Sequence, residues 1–151
     1  MKPSITHASF TIERIYPDVT PARVYAAFTP EQKTKWFAGD EWQELEHEHQ
    51  FAVGGREINI GRHKSGVVSA FESRYYDLVE GVRLIYSYVM HLDDVKISVS
   101  LATIELEALG TSTRLVMHED GAFLDGYDKP ESRRHGTEWL LGKLGETLAT
   151  I

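Results

Sequence analysis

From residue 42 to about 119 the chain reads as one strand after another, and this run leaves few folds open. Turn signals at Gly54-Gly55, Lys64-Ser65-Gly66, Glu80-Gly81, Asp93-Asp94 and Leu109-Gly110 divide it at intervals that suit a meander of hairpins, with little room for a helix. Val82, Leu84, Tyr86, Tyr88 and Met90 fall on one face of one segment, and Val95, Ile97, Val99 and Leu101 on one face of the next, so one side of the sheet is buried. The second series gives way around Thr103 to Ile104 and Leu106 on the opposite phase, which predicts a bulge or strong bend there. A sheet bent in this way can curl around another element.

The flanks supply that element. Ser9 to Tyr16 alternates as a half-buried strand that ends at Pro17, and Thr20-Pro21 and Thr29-Pro30 each place a capping hydroxyl before a proline suited to a first helical turn. The first of these short helices carries Val24, Tyr25 and Phe28; the second reaches Trp36-Phe37 before Gly39 stops it. Glu119 to Lys129 reads as a Gly- and Asp-containing loop that also carries Phe123, Leu124 and Tyr127, as expected of a segment lying over a core or a cavity mouth. From about Pro130 to Thr150, Thr137, Leu140, Leu141, Leu144, Leu148 and Ile151 recur at helical intervals. The expected fold is therefore α+β: a curved antiparallel sheet of about six or seven strands wrapped around a long C-terminal helix, with two short helices after the first strand.

Composition narrows what such a fold can do. At 151 residues the chain suits one domain, 1–151, with a core that needs neither disulfide nor structural metal. A net charge of −7 and a pI near 5.5 argue against general affinity for nucleic acid or anionic membrane. The absence of cysteine removes disulfide, CxxC and zinc-ribbon chemistry. No run approaches the ~20 apolar residues of a membrane helix, and the N-terminus has no basic segment leading into an apolar stretch, so the expected location is cytoplasmic.

The order of strand, two short helices, meander and final helix resembles the START-like, or helix-grip, proteins. Local text is similar to the bacterial stand-alone relatives of the C-terminal domain of the Hsp90 ATPase activator, within the SRPBCC superfamily. The residues that carry this resemblance are Val24 to Glu31 with Trp36; Phe51-Ala52-Val53-Gly54-Gly55; Tyr76 to Glu80 with Arg83 to Tyr88; Gly110 to Leu115 with His118-Glu119; and Gly136-Thr137 with Leu140-Leu141 and Leu144. The resemblance implies a cavity between sheet and closing helix. The superfamily includes lipid carriers, hormone receptors, aromatase/cyclase enzymes and co-chaperone domains, so it does not by itself select an activity.

Three functions follow as expectations. The first is binding of a small hydrophobic or aromatic molecule, with no cofactor, by Trp36, Phe37, Phe51, Tyr86, Tyr88, Val99, Leu101, His118, Gly136 and Leu140. Tyr86 and Tyr88 stand out because a buried tyrosine needs a partner for its hydroxyl, and Gly136 because a helical glycine there leaves space above the sheet. The second is a cyclase- or hydrolase-type enzyme using a cavity His or Tyr as general acid or base; no GxSxG, P-loop, GxGxxG or HExxH motif is present, and no catalytic residue is assigned. The third is an interaction protein, a homodimer or a chaperone partner, using the outer face or an edge of the sheet. His47-Glu48-His49 has two imidazoles on one strand face but no third metal ligand in view, and this strand reads as a solvated edge. His63 and His91, like His118, lie near strand ends, where they reach either a cavity mouth or water.

Overall fold

The computed structural model describes residues 2–38 and 41–150. Gly39, the expected helix stop, and Ile151, the expected end of the apolar stripe, lie outside the described residues. Chain order is β1 (Ile5–Tyr16), α1 (Pro21–Ala26), α2 (Pro30–Lys33), β2 (Gln43–His49), β3 (Arg56–Arg62), β4 (Val68–Val79), β5 (Arg83–Leu92), β6 (Val95–Leu109), β7 (Ser112–Leu124) and α3 (Pro130–Ala149). The seven strands form one antiparallel sheet in the order β1-β7-β6-β5-β4-β3-β2. Only the β1 to β2 connection leaves the meander, carrying the chain from one edge to the other through α1 and α2. No described helix is long and apolar enough to cross a membrane.

Turn chemistry sets the meander. Asp93 and Asp94 take φ of 47° and 66°, the paired positive values of a type I′ hairpin, and Gly110 at 58° opens the next turn. Thr20 caps α1 by accepting from Arg23 N at 3.1 Å. Thr29 does not cap α2; its hydroxyl donates to Ala26 O at 2.6 Å, and Lys33 N closes on Thr29 O instead. α2 is only one turn long, and Trp36 and Phe37 are held by the turns that follow it, through backbone bonds to Lys33 O.

α3 lies on the concave face, where Leu141, Leu144 and Leu148 join a core that includes Ile12, Leu84, Ile104, Leu115 and Met117. Tyr16 pins its C-terminal half to β1, donating to Leu141 O at 2.8 Å. Gly145 permits that approach, since a Cβ there would lie 3.1 Å from the Tyr16 ring.

The phase of β6 differs from the expected one. The register shift opposite Met90/His91 makes Ile97 the extra residue, so the bulge lies six positions before Thr103. Every later residue then takes the other face: Ser98, Ser100, Ala102, Ile104 and Leu106 point inward, while Val99 and Leu101 are 42% and 43% exposed on the outer face. Val82 is likewise exposed, in the turn before β5. β7 also runs further than expected, to Leu124, because Gly121 to Phe123 pair with β1 and β6; Phe123 is core, and the loop shrinks to residues 125–129.

Candidate functional site

Between α3, the segment after α2 and the concave face lies a cavity of about 420 Å³. Trp36, Phe37, Trp42, Phe71, Met90, Ile97 and Leu140 supply much of its apolar wall. The rings pack edge to face: Trp36 against Phe37 at 5.7 Å and Phe37 against Phe71 at 4.9 Å, with Phe71 tilted onto Tyr88 at 4.9 Å. Trp36 is fixed by its indole N–H, which donates to Ala27 O at 2.9 Å. On the helix side Gly136 faces open space, with no atom within 4 Å of a Cβ built there.

Two buried polar chains border this space, and each ends on a carboxylate. Under α2, Lys33 Nζ donates to Glu57 Oε1 at 2.7 Å, Asn59 donates to Glu57 Oε2 at 2.7 Å, and the Tyr75 hydroxyl donates to Glu57 Oε1 at 2.8 Å. Because Tyr75 spends its proton on Glu57, His49 Nε2 is the donor in its 2.8 Å bond to Tyr75 Oη, which leaves buried Nδ1 without a partner. The His49 side chain is thus enclosed rather than solvated, and desolvation lowers its pKa to about 4. Burial, the largest single effect, raises the Glu57 carboxyl, but the Lys33 ammonium, His49 and the Tyr75 hydroxyl together hold it below its ordinary range.

At the helix end, Arg133 donates to Tyr88 Oη at 3.1 Å, and Tyr88 donates to Glu119 Oε2 at 2.8 Å. Arg133 also bonds Ser98 Oγ at 2.8 Å and Asp128 Oδ2 at 3.0 Å, so one side chain ties the 125–129 loop to β5 and β6. Here burial wins: it pushes the Glu119 carboxyl up despite Tyr88 and Arg133. Ser100 Oγ and Glu119 Oε1 are both buried, and neither makes a well-formed hydrogen bond among the described residues. Tyr86 stands between the chains, its hydroxyl driven up first by burial and then by Glu119, Tyr88 and Glu57.

The cavity brings together Trp36, Phe37, Tyr86, Tyr88, Gly136 and Leu140 from the expected set. It leaves out four. Val99 and Leu101 are turned outward by the bulge at Ile97. Phe51 packs beside the cavity on Tyr25, His49 and Tyr75. His118 lies on the outer face, bonded to Thr11 Oγ1 at 2.8 Å and Asp120 Oδ1 at 3.2 Å, because β7 sends its sequence neighbour Glu119 inward. His63 does line the cavity, bonded to Ser69 at 3.0 Å. Sequence reasoning missed Lys33, Glu57, Glu119 and Arg133. Alternation through Leu115 and Met117 marks Glu119, and Arg133 lies three and four residues before Gly136 and Thr137; those were the available signals. Among the described residues no cluster of three His, Asp or Glu is arranged to hold a metal.

The sequence model for activator of Hsp90 ATPase homolog 1-like proteins matches residues 18–149. A protein of uncharacterised function from Rhizobium leguminosarum has a similar solved structure, with 38% identity over 100% of both chains and a TM-score of 0.94. A Rhizobium loti protein is 36% identical over 95% of this chain and 99% of its own, with a TM-score of 0.87. One from Chromobacterium violaceum is 28% identical over 93% and 96%, at 0.77. No protein with a curated description matches. With its family model covering most of the sequence and the helix-grip order of its elements, the chain belongs to the activator of Hsp90 ATPase homolog 1-like family, within the START-like SRPBCC superfamily.

Proposed function

We propose that the protein binds a small, largely apolar or aromatic molecule between α3 and the concave face of the sheet, in the cytoplasm. The observation that carries this reading is the cavity itself: about 420 Å³, walled by aromatic rings, with open space over Gly136. That volume falls in the range of small-molecule sites, and apolar walls with a few fixed polar groups are what such sites use. Apolar burial drives binding at about 25 cal/mol per Å² before entropic costs. Native mass spectrometry after incubation with hydrophobic extracts should show a retained small molecule and a raised melting temperature. Gly136→Trp, which fills the cavity from the helix side, should abolish both while the protein stays folded. If no compound is retained and none shifts the melt, the reading fails.

A second reading is favoured by one observation. Tyr88, Glu119 and Arg133 form a polar relay within hydrogen-bonding distance at the cavity wall, and Glu119 holds its proton more tightly than an ordinary carboxyl. Such a group suits general acid catalysis. Under this reading Glu119→Gln eliminates turnover of a bound compound while leaving its retention intact.

A further inference from the structure

Two hydrogen-bond donors in the cavity wall have unfilled capacity. Lys33 is 4% exposed, and its ammonium carries three N–H bonds, yet Glu57 is its only hydrogen-bond acceptor among the described residues. The ring of Phe37, 4.1 Å from Nζ, takes part of the charge but offers no oxygen. Tyr86 is 7% exposed, and its hydroxyl finds no partner among the described residues. The Tyr86 side chain forms part of the cavity wall. Lys33 Nζ lies 5.8 Å from the Tyr86 ring centre, and both residues line the same cavity.

Resting on the ligand-binding reading above, we propose that the cavity selects an apolar molecule bearing a neutral carbonyl oxygen, which accepts one hydrogen bond from Lys33 Nζ and one from the Tyr86 hydroxyl. A carbonyl oxygen has two lone pairs, one for each donor. A carboxylate fits less well, because Lys33 is already neutralised by Glu57 at 2.7 Å and Arg133 by Asp128 at 3.0 Å. A further negative charge there would be buried without a counter-ion. A water bridging the two donors would be displaced without loss, since the carbonyl reproduces its bonds.

The test uses an isosteric pair, benzophenone and 1,1-diphenylethylene, which differ only in C=O against C=CH2, with diphenylacetate as the anionic comparison. Titrations by calorimetry and by quenching of tryptophan emission should rank benzophenone about tenfold or more above the alkene, with the carboxylate weakest. The carbonyl stretch of bound benzophenone should move to lower frequency. Tyr86→Phe should cut the ketone's advantage over the alkene several-fold and partly reverse that spectral shift. Lys33→Met strands Glu57 and risks unfolding, so Tyr86→Phe carries the test. Equal binding of ketone and alkene, a preference for the carboxylate, or a Tyr86→Phe ratio equal to that of the unmodified protein overturns the carbonyl assignment while leaving cavity binding in place. Failure of all three probes to bind overturns the carbonyl assignment, and retention of no compound from hydrophobic extracts overturns the cavity reading with it.

Discussion

Glu57 and Glu119 are both about 1% exposed, and burial raises both carboxyls, yet their net shifts are opposite because of what stands beside each. Glu57 has an ammonium at 2.7 Å and is held low. Glu119 receives a tyrosine hydroxyl, while its nearest cation, Arg133, is shared with Ser98, Asp128 and Tyr88; it is pushed up. A carboxyl whose folded pKa is raised contributes stability below its unfolded pKa and loses it as pH rises through the folded value. Glu119→Gln, which resembles the protonated acid and still accepts from Tyr88, should therefore melt higher than the unmodified protein at pH 8. That difference should shrink toward pH 4.5, as melting curves across pH would show. His49 works the other way. Its folded pKa of about 4 lies below the usual 6.5, so the neutral form is the folded one, and stability is lost as pH falls from about 6.5 through 4. His49→Gln, able to donate to Tyr75 from its amide, should flatten that acid limb by an amount on the order of 3 kcal/mol. A limb of unchanged slope would place the acid sensitivity elsewhere.

Three glycines in α3 look alike in the sequence and differ in the fold. Gly142 and Gly136 have no neighbour within 4 Å of a built Cβ, whereas Gly145 would meet the Tyr16 ring at 3.1 Å. Gly142→Ala should stabilise by about 1 kcal/mol through helix propensity alone. Gly145→Ala should gain less or destabilise, since the ring it presses is fixed by the Tyr16 bond to Leu141 O. Chemical denaturation of the two variants separates these outcomes. The same contrast between pattern and packing shows what the sequence could reveal. Alternation, turn signals and helical periodicity made the meander of hairpins, the two short helices and the closing helix legible, since each is a local rule. The phase of β6 was not legible. Val99 and Leu101 are the larger apolar residues, and nothing local says that Ile97 is skipped in pairing with β5, so Ser98 and Ser100 face inward. A bulge reverses every side chain after it, and two expected ligand contacts were lost to that one residue. His118 missed by a single position for the same period-two reason. Lys33 was invisible because a buried lysine declares itself only with its counter-ion, which lies 24 residues away on β3.

At the scale of the molecule, α3 is held differently at its two ends. Leu141, Leu144 and Leu148 are buried against the sheet, and Tyr16 bonds Leu141 O, so the C-terminal half shares the stability of the main core. The N-terminal half passes over the cavity instead. There Gly136 contributes no side chain, and the principal tie is Arg133, bonded to β5, β6 and Asp128. Beyond Arg133 its ties are exposed or half-exposed ones to β1, Arg134 to Thr11 O at 3.3 Å and Glu138 to Arg14 at 3.9 Å, and a segment held by few apolar contacts opens at lower free energy than the global transition. Hydrogen exchange should thus find residues 134–138 less protected than 144–148, because the backbone bonds of the former can break while the leucine-packed turns persist. Ligand in the cavity adds contacts only to the closed form, and at one hundred times its Kd it favours that form by about 2.7 kcal/mol. Protection should then rise in the first half of α3 and in β5, and change little in β1 or in the second half of the helix. Arg133→Met should weaken the N-terminal half selectively, raising its exchange and the ligand's dissociation rate together. Uniform exchange along α3, or equal slowing throughout the sheet on binding, would mean that helix and sheet open as one unit and that the ligand enters by another route.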